Sequence, residues 1–142
     1  FSLFGFPKLF LGDSGSLLLG FIIAFILVYL AKQKIAHPIV LAWSIAIFVY
    51  EFLSINLIRI KNKVNPFTPG QDHLHHILLF KINSLFLTNS LISIINIIFF
   101  IMGYLSYKLI NPLTSLTLYI VTFLIYYVLR ERFSVKIKLN NN

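Results

Sequence analysis

Cysteine is absent from this chain of 142 residues, so neither a disulfide framework nor a thiolate metal site is possible. Acid is almost as scarce. Asp13, Glu51, Asp72 and Glu131 stand against twelve Lys and Arg, for a net charge of +8. Charged residues make up only 11% and hydrophobic residues 58%, with mean hydropathy +0.89, which excludes an ordinary soluble domain and points to the membrane class. Met102 is the only methionine and residue 1 is Phe, so the chain is expected to start inside a longer protein. The opening residues also lack the flanks of a signal peptide.

Four long apolar runs fill most of the sequence, at about 14–31, 38–60, 85–107 and 110–129. Each is near the roughly 20 residues that cross a bilayer as helix. Their richness in β-branched residues does not argue for strands, because an open sheet cannot satisfy its edges in lipid. The expected fold is therefore all-α, a polytopic transmembrane helical bundle of about four spans forming one domain. His37-Pro38 and Asn111-Pro112 mark short turns. Only 61–83 is long and polar enough to be a working loop.

Basic residues are distributed unevenly about these spans. Lys8, Arg59, Lys61, Lys63, Lys81, Arg130, Arg132, Lys136 and Lys138 fall on one side, against Lys32, Lys34 and Lys108 on the other. Nine against three predicts that Asp13, the 61–83 loop and the C-terminal end all face the cytoplasm. Most of the positive charge is this bias, together with attraction of Lys61 and Lys63 to anionic headgroups. A nucleic-acid partner is not expected, since the aromatics lie within the spans rather than among basic residues on a soluble face.

Where the first span begins, the sequence reads Pro7-Lys8-Leu9-Phe10-Leu11-Gly12-Asp13-Ser14-Gly15-Ser16. A helix N-terminus leaves backbone N–H groups unpaired and partly positive, which suits a phosphate. Gly12 and Gly15 allow close backbone approach, and Ser14 or Ser16 can cap. A carboxylate in that setting has two readings. Asp13 caps the helix, or it holds a magnesium ion that the phosphate also touches.

Inside the spans, each polar residue is costly and therefore informative. Glu51 is the one acid within a span, with Ser44 seven residues before it and Ser54 three after, which predicts a polar stripe along one helix face. Glu51 is a functional candidate, or it pairs with a basic residue such as Arg59. Ser93, Asn96 and Gly103 give the third span a small, polar face suited to helix packing.

Three of the four histidines crowd into Pro66-Phe67-Thr68-Pro69-Gly70-Gln71-Asp72-His73-Leu74-His75-His76. A zinc site is weakly supported, because only Asp72 adds a nearby carboxylate and no metalloprotease spacing is present. Histidines that donate to a diphosphate are the competing reading. A third is a proline-bounded loop at the membrane interface.

Taken together, the Gly-Asp-Ser-Gly-Ser motif before one span and the Pro-Gly-Gln-Asp-His-Leu-His-His motif after the next resemble the polyprenyl-phosphate N-acetylhexosamine-1-phosphate transferases. The His-Leu-His-His form is similar to the undecaprenyl-phosphate N-acetylglucosamine-1-phosphate branch, used for O-antigen, enterobacterial antigen and teichoic acid linkage. It is less like the related phospho-N-acetylmuramoyl-pentapeptide transferases, which carry three consecutive histidines. The resemblance covers essentially the whole chain as the C-terminal part of the family's length. It implies a bacterial inner-membrane enzyme that moves a sugar-1-phosphate from a UDP-N-acetylhexosamine to undecaprenyl phosphate, releasing UMP at the cytoplasmic face. Asp13 matches the family's magnesium-associated aspartate, and His73, His75 and His76 match the loop that meets the nucleotide-sugar phosphates. Gly12, Ser14 and Gly15 belong to the first motif. Glu51 occupies a place where family members carry an acid, and Arg59 with Lys61 or Lys63 is a looser source of positive charge. The family's upstream Asp-Asp pair and Asn-containing motif do not occur here, which fits a fragment that is inactive without the N-terminal half.

Two other classes compete. Gly-Asp-Ser-Gly also surrounds the nucleophile of trypsin-like proteases, but Ser16 stands where those have glycine, a membrane span follows, and disulfides are impossible. A transporter or structural segment would use Glu51 and the histidines as an ion path, and predicts unwound helices or mid-membrane polar residues in several spans.

Overall fold

The computed structural model describes residues 12–65 and 73–140, with side chains described for 14–65 and 73–132. Six helices account for nearly all of this: α1 Gly12–Lys32, α2 Pro38–Ser44, α3 Ala46–Lys61, α4 Leu74–Ile82, α5 Leu85–Leu109 and α6 Pro112–Asn140. The all-α expectation holds. Within them Ser14–Lys32, Leu85–Leu109 and Pro112–Arg132 are each long and apolar enough to cross a bilayer.

The run 38–60 is not the single straight span that its composition suggested. It breaks at Ile45 into α2 and α3, bent by 75°. No proline or glycine causes this. Asn96 of α5 supplies what the break leaves open: its Nδ2 donates to the Ser44 carbonyl at 2.8 Å, and its Oδ1 accepts from Ile47 N–H at 3.3 Å. In lipid an interrupted backbone must find such partners within the protein. The break also ends the Ser44–Glu51 register, so the expected stripe survives only from Glu51 to Ser54. Ser44 Oγ turns back to the Leu41 carbonyl at 2.7 Å.

The bent pair still traverses the bundle. His37, at the start of α2, packs its ring 5.1 Å from that of Tyr107 near the end of α5. At the other end, Lys61 closes α3 with an ion pair to Glu131 of α6. Because α5 and α6 form an antiparallel hairpin, Tyr107 and Glu131 mark opposite ends. The pair therefore counts as the fourth span, and it brings the start of α5, the end of α3, and α4 to one end of the bundle.

The core forms where α2 and α3 meet α5 and α6. Trp43, Ala46 and Tyr50 are fully buried. Tyr119 stands edge-on to Trp43 and Tyr50 at 5.0 and 4.9 Å, distances at which ring quadrupoles attract. Lipid tails are as apolar as these side chains, so burial alone drives little; close packing and satisfied polar groups must hold the helices. Trp43 Nε1 donates to Ser115 Oγ and Ser115 Oγ to the Gly103 carbonyl, each at 3.0 Å, while Tyr50 OH donates to the Tyr119 carbonyl at 2.8 Å. Gly103 lies directly beneath the indole. A Cβ there would overlap the Trp43 ring.

Local chemistry sets the helix ends. His37 Nδ1 accepts from Ile39 N–H as the N-cap of α2, with Pro38 next, so the fourth histidine has a capping task. Asn111 Oδ1 accepts from Thr114 N–H at 2.7 Å and starts α6. Both α1 and α3 end with a lysine in the left-handed region, Lys34 at φ 56° and Lys63 at φ 55°. In each, the next residue's N–H reaches back five positions, Ile35 to Leu30 and Val64 to Arg59, which closes a Schellman turn.

Candidate functional site

Residues 74–82, expected as part of a loop, form α4, and the histidines stand at its first turn. His73 is the N-cap residue with extended backbone (φ −72°, ψ 147°), but its side chain makes no capping hydrogen bond. Capping comes instead from a different helix. Glu51 Oε1 accepts the Leu74 N–H at 2.5 Å, placing a carboxylate at the positive end of α4. The three imidazoles lie together, with ring centres 4.1 Å apart for His75–His76, 5.7 Å for His73–His75 and 6.5 Å for His73–His76.

Glu51 is itself held from α6. Arg130 Nε donates to Oε2 at 3.2 Å and Nη2 to Oε1 at 3.3 Å, a two-pronged guanidinium–carboxylate pair. Tyr126 OH also donates to Oε2. The Arg130 side chain is only 4% exposed and that of Glu51 14%. Such a pair adds little over apolar packing when intact, yet losing one partner strands a buried charge at about 3–5 kcal/mol. Sequence reasoning suggested Arg59 as partner; the structure supplies Arg130 and Tyr126. Those two were missed, although their spacing of four places both on one face of the last span, and a buried acid needs such donors.

Between α3, α4 and α5 opens a cleft of about 360 Å³, floored by Ile47, Phe48, Leu74 and Ile92 and edged by Glu51, His75, Asn89 and Ser93. Partial desolvation at the cleft edge and the neighbouring His76 and His73 push His75 below the usual imidazole range, although the residue stays exposed, with Glu51 opposing more weakly. A neutral imidazole here resists charging until an anion arrives to share the proton.

The other expected site residues are not all brought to this cluster. Gly12 and Asp13 begin α1, and the Asp13 side chain lies outside the described residues, as does Asp72. Ser14 is exposed and Gly15 half-buried. Arg59 is half-buried in the last turn of α3. Lys61 belongs to the pair with Glu131. Among the described residues no group of three His, Cys, Asp or Glu side chains is arranged to hold a metal, and both described carboxylates are engaged with cations.

Comparison with known proteins adds a second line. A curated undecaprenyl-phosphate alpha-N-acetylglucosaminyl 1-phosphate transferase of Yersinia pestis is 39% identical over 75 residues, covering 51% of this chain and 20% of its own length. Its counterpart in Escherichia coli strain K12 is 36% identical over 75 residues, with the same shares. That of Pasteurella multocida strain Pm70 is 37% identical over 75 residues, 51% of this chain and 21% of the relative. The match thus spans about a fifth of the length of these relatives. Their shared name is that of the branch the two motifs resemble. No family model matches the chain. No solved structure matches it.

Proposed function

We propose that this chain forms part of a membrane transferase that passes N-acetylglucosamine 1-phosphate, or a close N-acetylhexosamine analogue, from its UDP ester to undecaprenyl phosphate. The observation that carries the reading is the cluster of three imidazoles at the first turn of α4, beside the cleft edged by Glu51 and His75. In the transfer, an oxygen of the lipid phosphate attacks the phosphorus next to the sugar. The bond to the bridging oxygen breaks, UMP leaves, and a lipid diphosphate sugar remains. Two anions must meet, so the site needs positioned donors more than it needs covalent chemistry. His73, His75 and His76 supply them to the diphosphate. Arg130 neutralises Glu51, so that a carboxylate at the α4 terminus does not repel the substrate.

Asp13 is the residue proposed to hold Mg2+, which when bound supplies charge neutralisation at the phosphates. A carboxylate oxygen at a helix start is a suitable donor for that ion. The cytoplasmic orientation rests on the uneven basic residues. Arg130 and Lys61 have pairing tasks of their own, and without them seven still stand against three. The inner membrane of a bacterium and a glycan-building pathway follow from the same reading, as does a longer chain that supplies further acids.

The break at Ile45 is what an ion-path reading would use. However, Asn96 fills the Ser44 carbonyl and the Ile47 amide, and Arg130 with Tyr126 fills Glu51. These groups are engaged in holding the helices.

The test is Asp13→Asn in the full-length protein. Asn caps a helix about as well as Asp but lacks the charge. Lipid-dependent exchange of labelled UMP into UDP-N-acetylglucosamine is expected to fall at least a hundredfold while folded protein is recovered normally. Unchanged exchange and unchanged magnesium dependence would reduce Asp13 to a cap.

A further inference from the structure

The histidines stand at the start of a helix whose first turn is held by side chains of other helices. α4 is a helix of nine residues that rests half-buried side chains on α5 and buries none fully, so the direction of its first turn depends on what holds that turn. Its first N–H is held by Glu51 Oε1. The carboxylate is in turn fixed on its other oxygen by the Tyr126 hydroxyl and across both oxygens by the buried Arg130 guanidinium. One carboxylate thus joins α3, α4 and α6.

Resting on the transferase reading above, we propose that Arg130 and Tyr126 of α6 are positioning residues. Through Glu51 they latch the N-terminus of α4 and set where His73, His75 and His76 meet the diphosphate of the nucleotide sugar. A purely adhesive ion pair between α3 and α6 would not need to involve the α4 amide. Lys61–Glu131 is such a pair, more exposed and built on the same two helices, and it makes a natural control. The latch has a direction. Loosening α6's grip lets the carboxylate turn, frees the Leu74 N–H, and lets the imidazoles move relative to the cleft edged by His75. Donors displaced by about 1 Å weaken binding and slow the reaction far more than one missing hydrogen bond would suggest. The lipid acceptor makes no use of this latch in the proposal, so the effect falls on one substrate.

The experiment uses the full-length protein in nanodiscs with Tyr126→Phe, Arg130→Met and Glu131→Gln. Hydrogen exchange is read over 73–82 and over α5, and steady-state kinetics with UDP-N-acetylglucosamine and undecaprenyl phosphate. Tyr126→Phe removes one hydroxyl and keeps the ring, so it tests the latch even where Arg130→Met fails to fold. Exchange at the start of α4 is expected to rise at least fivefold in Tyr126→Phe and more in Arg130→Met, with α5 unchanged and Glu131→Gln at the wild-type rate. The KM for the UDP-sugar should rise three- to tenfold in Tyr126→Phe, with the KM for the lipid unchanged. The proposal is overturned by any of three results: α4 exchange that does not change, exchange that rises equally in all helices or in Glu131→Gln, or a KM rise shared by both substrates. A wild-type protein that turns over neither substrate would sink the transferase reading, and the exchange data would still decide the latch.

Discussion

Partial desolvation and its two histidine neighbours disfavour a second proton on the His75 ring in the free protein, although the residue stays exposed. A diphosphate arriving beside it reverses that preference, so binding is expected to take up a proton. The sign follows from linkage. In the free protein the His75 pKa is held below the usual imidazole range and a bound diphosphate raises it, so affinity strengthens as pH falls through the window between the two. Apparent affinity for UDP-N-acetylglucosamine should increase from pH 8 to pH 6.5, by at most about tenfold per pH unit for one proton. Titration calorimetry in buffers of different ionisation heat reads the uptake directly. His75→Asn should abolish most of the slope, and a slope that persists would place the titrating group elsewhere.

Elements here are held by a few close approaches. α5 and α2 touch where Gly103 lies under Trp43, and a methyl group there would overlap the indole. Neither partner can retreat easily, since the indole N–H is tied to Ser115 and Ser115 to the Gly103 carbonyl. Gly103→Ala should destabilise by about 1–3 kcal/mol, the usual range for overpacking, and lower the Tm in detergent by several degrees. Gly20→Ala on α1, where nothing lies within 4 Å of a new Cβ, should leave the Tm within error. Equal behaviour of the two would mean that α2 and α5 are not in this contact. The four apolar runs and the packing residues Asn96 and Gly103 were legible in the sequence because membrane length and small-residue faces are local signals. The break at Ile45 was not, because the side chain that satisfies it is Asn96, about fifty positions away. Nor was α4, whose nine residues are too few to separate from a loop beside proline and glycine. The histidine cluster stood out by composition; its latch did not, because Glu51 and Arg130 lie 79 residues apart and only the fold pairs them.

Across the whole molecule, one end of the bundle collects the histidine helix and the Glu51–Tyr126–Arg130 cluster. Both carboxylates described there are neutralised by cations of the same chain. Residues 1–142 purified alone are expected to form no lipid-linked product. The most direct measurement takes the full-length protein in detergent with undecaprenyl phosphate, UDP-N-acetylglucosamine and Mg2+, and follows the products by chromatography and mass spectrometry. UMP and a lipid diphosphate carrying N-acetylglucosamine should appear in equal amounts, with both lost in His75→Ala. Release of free N-acetylglucosamine 1-phosphate, transfer of the sugar without its phosphate, or no turnover at all would contradict the account.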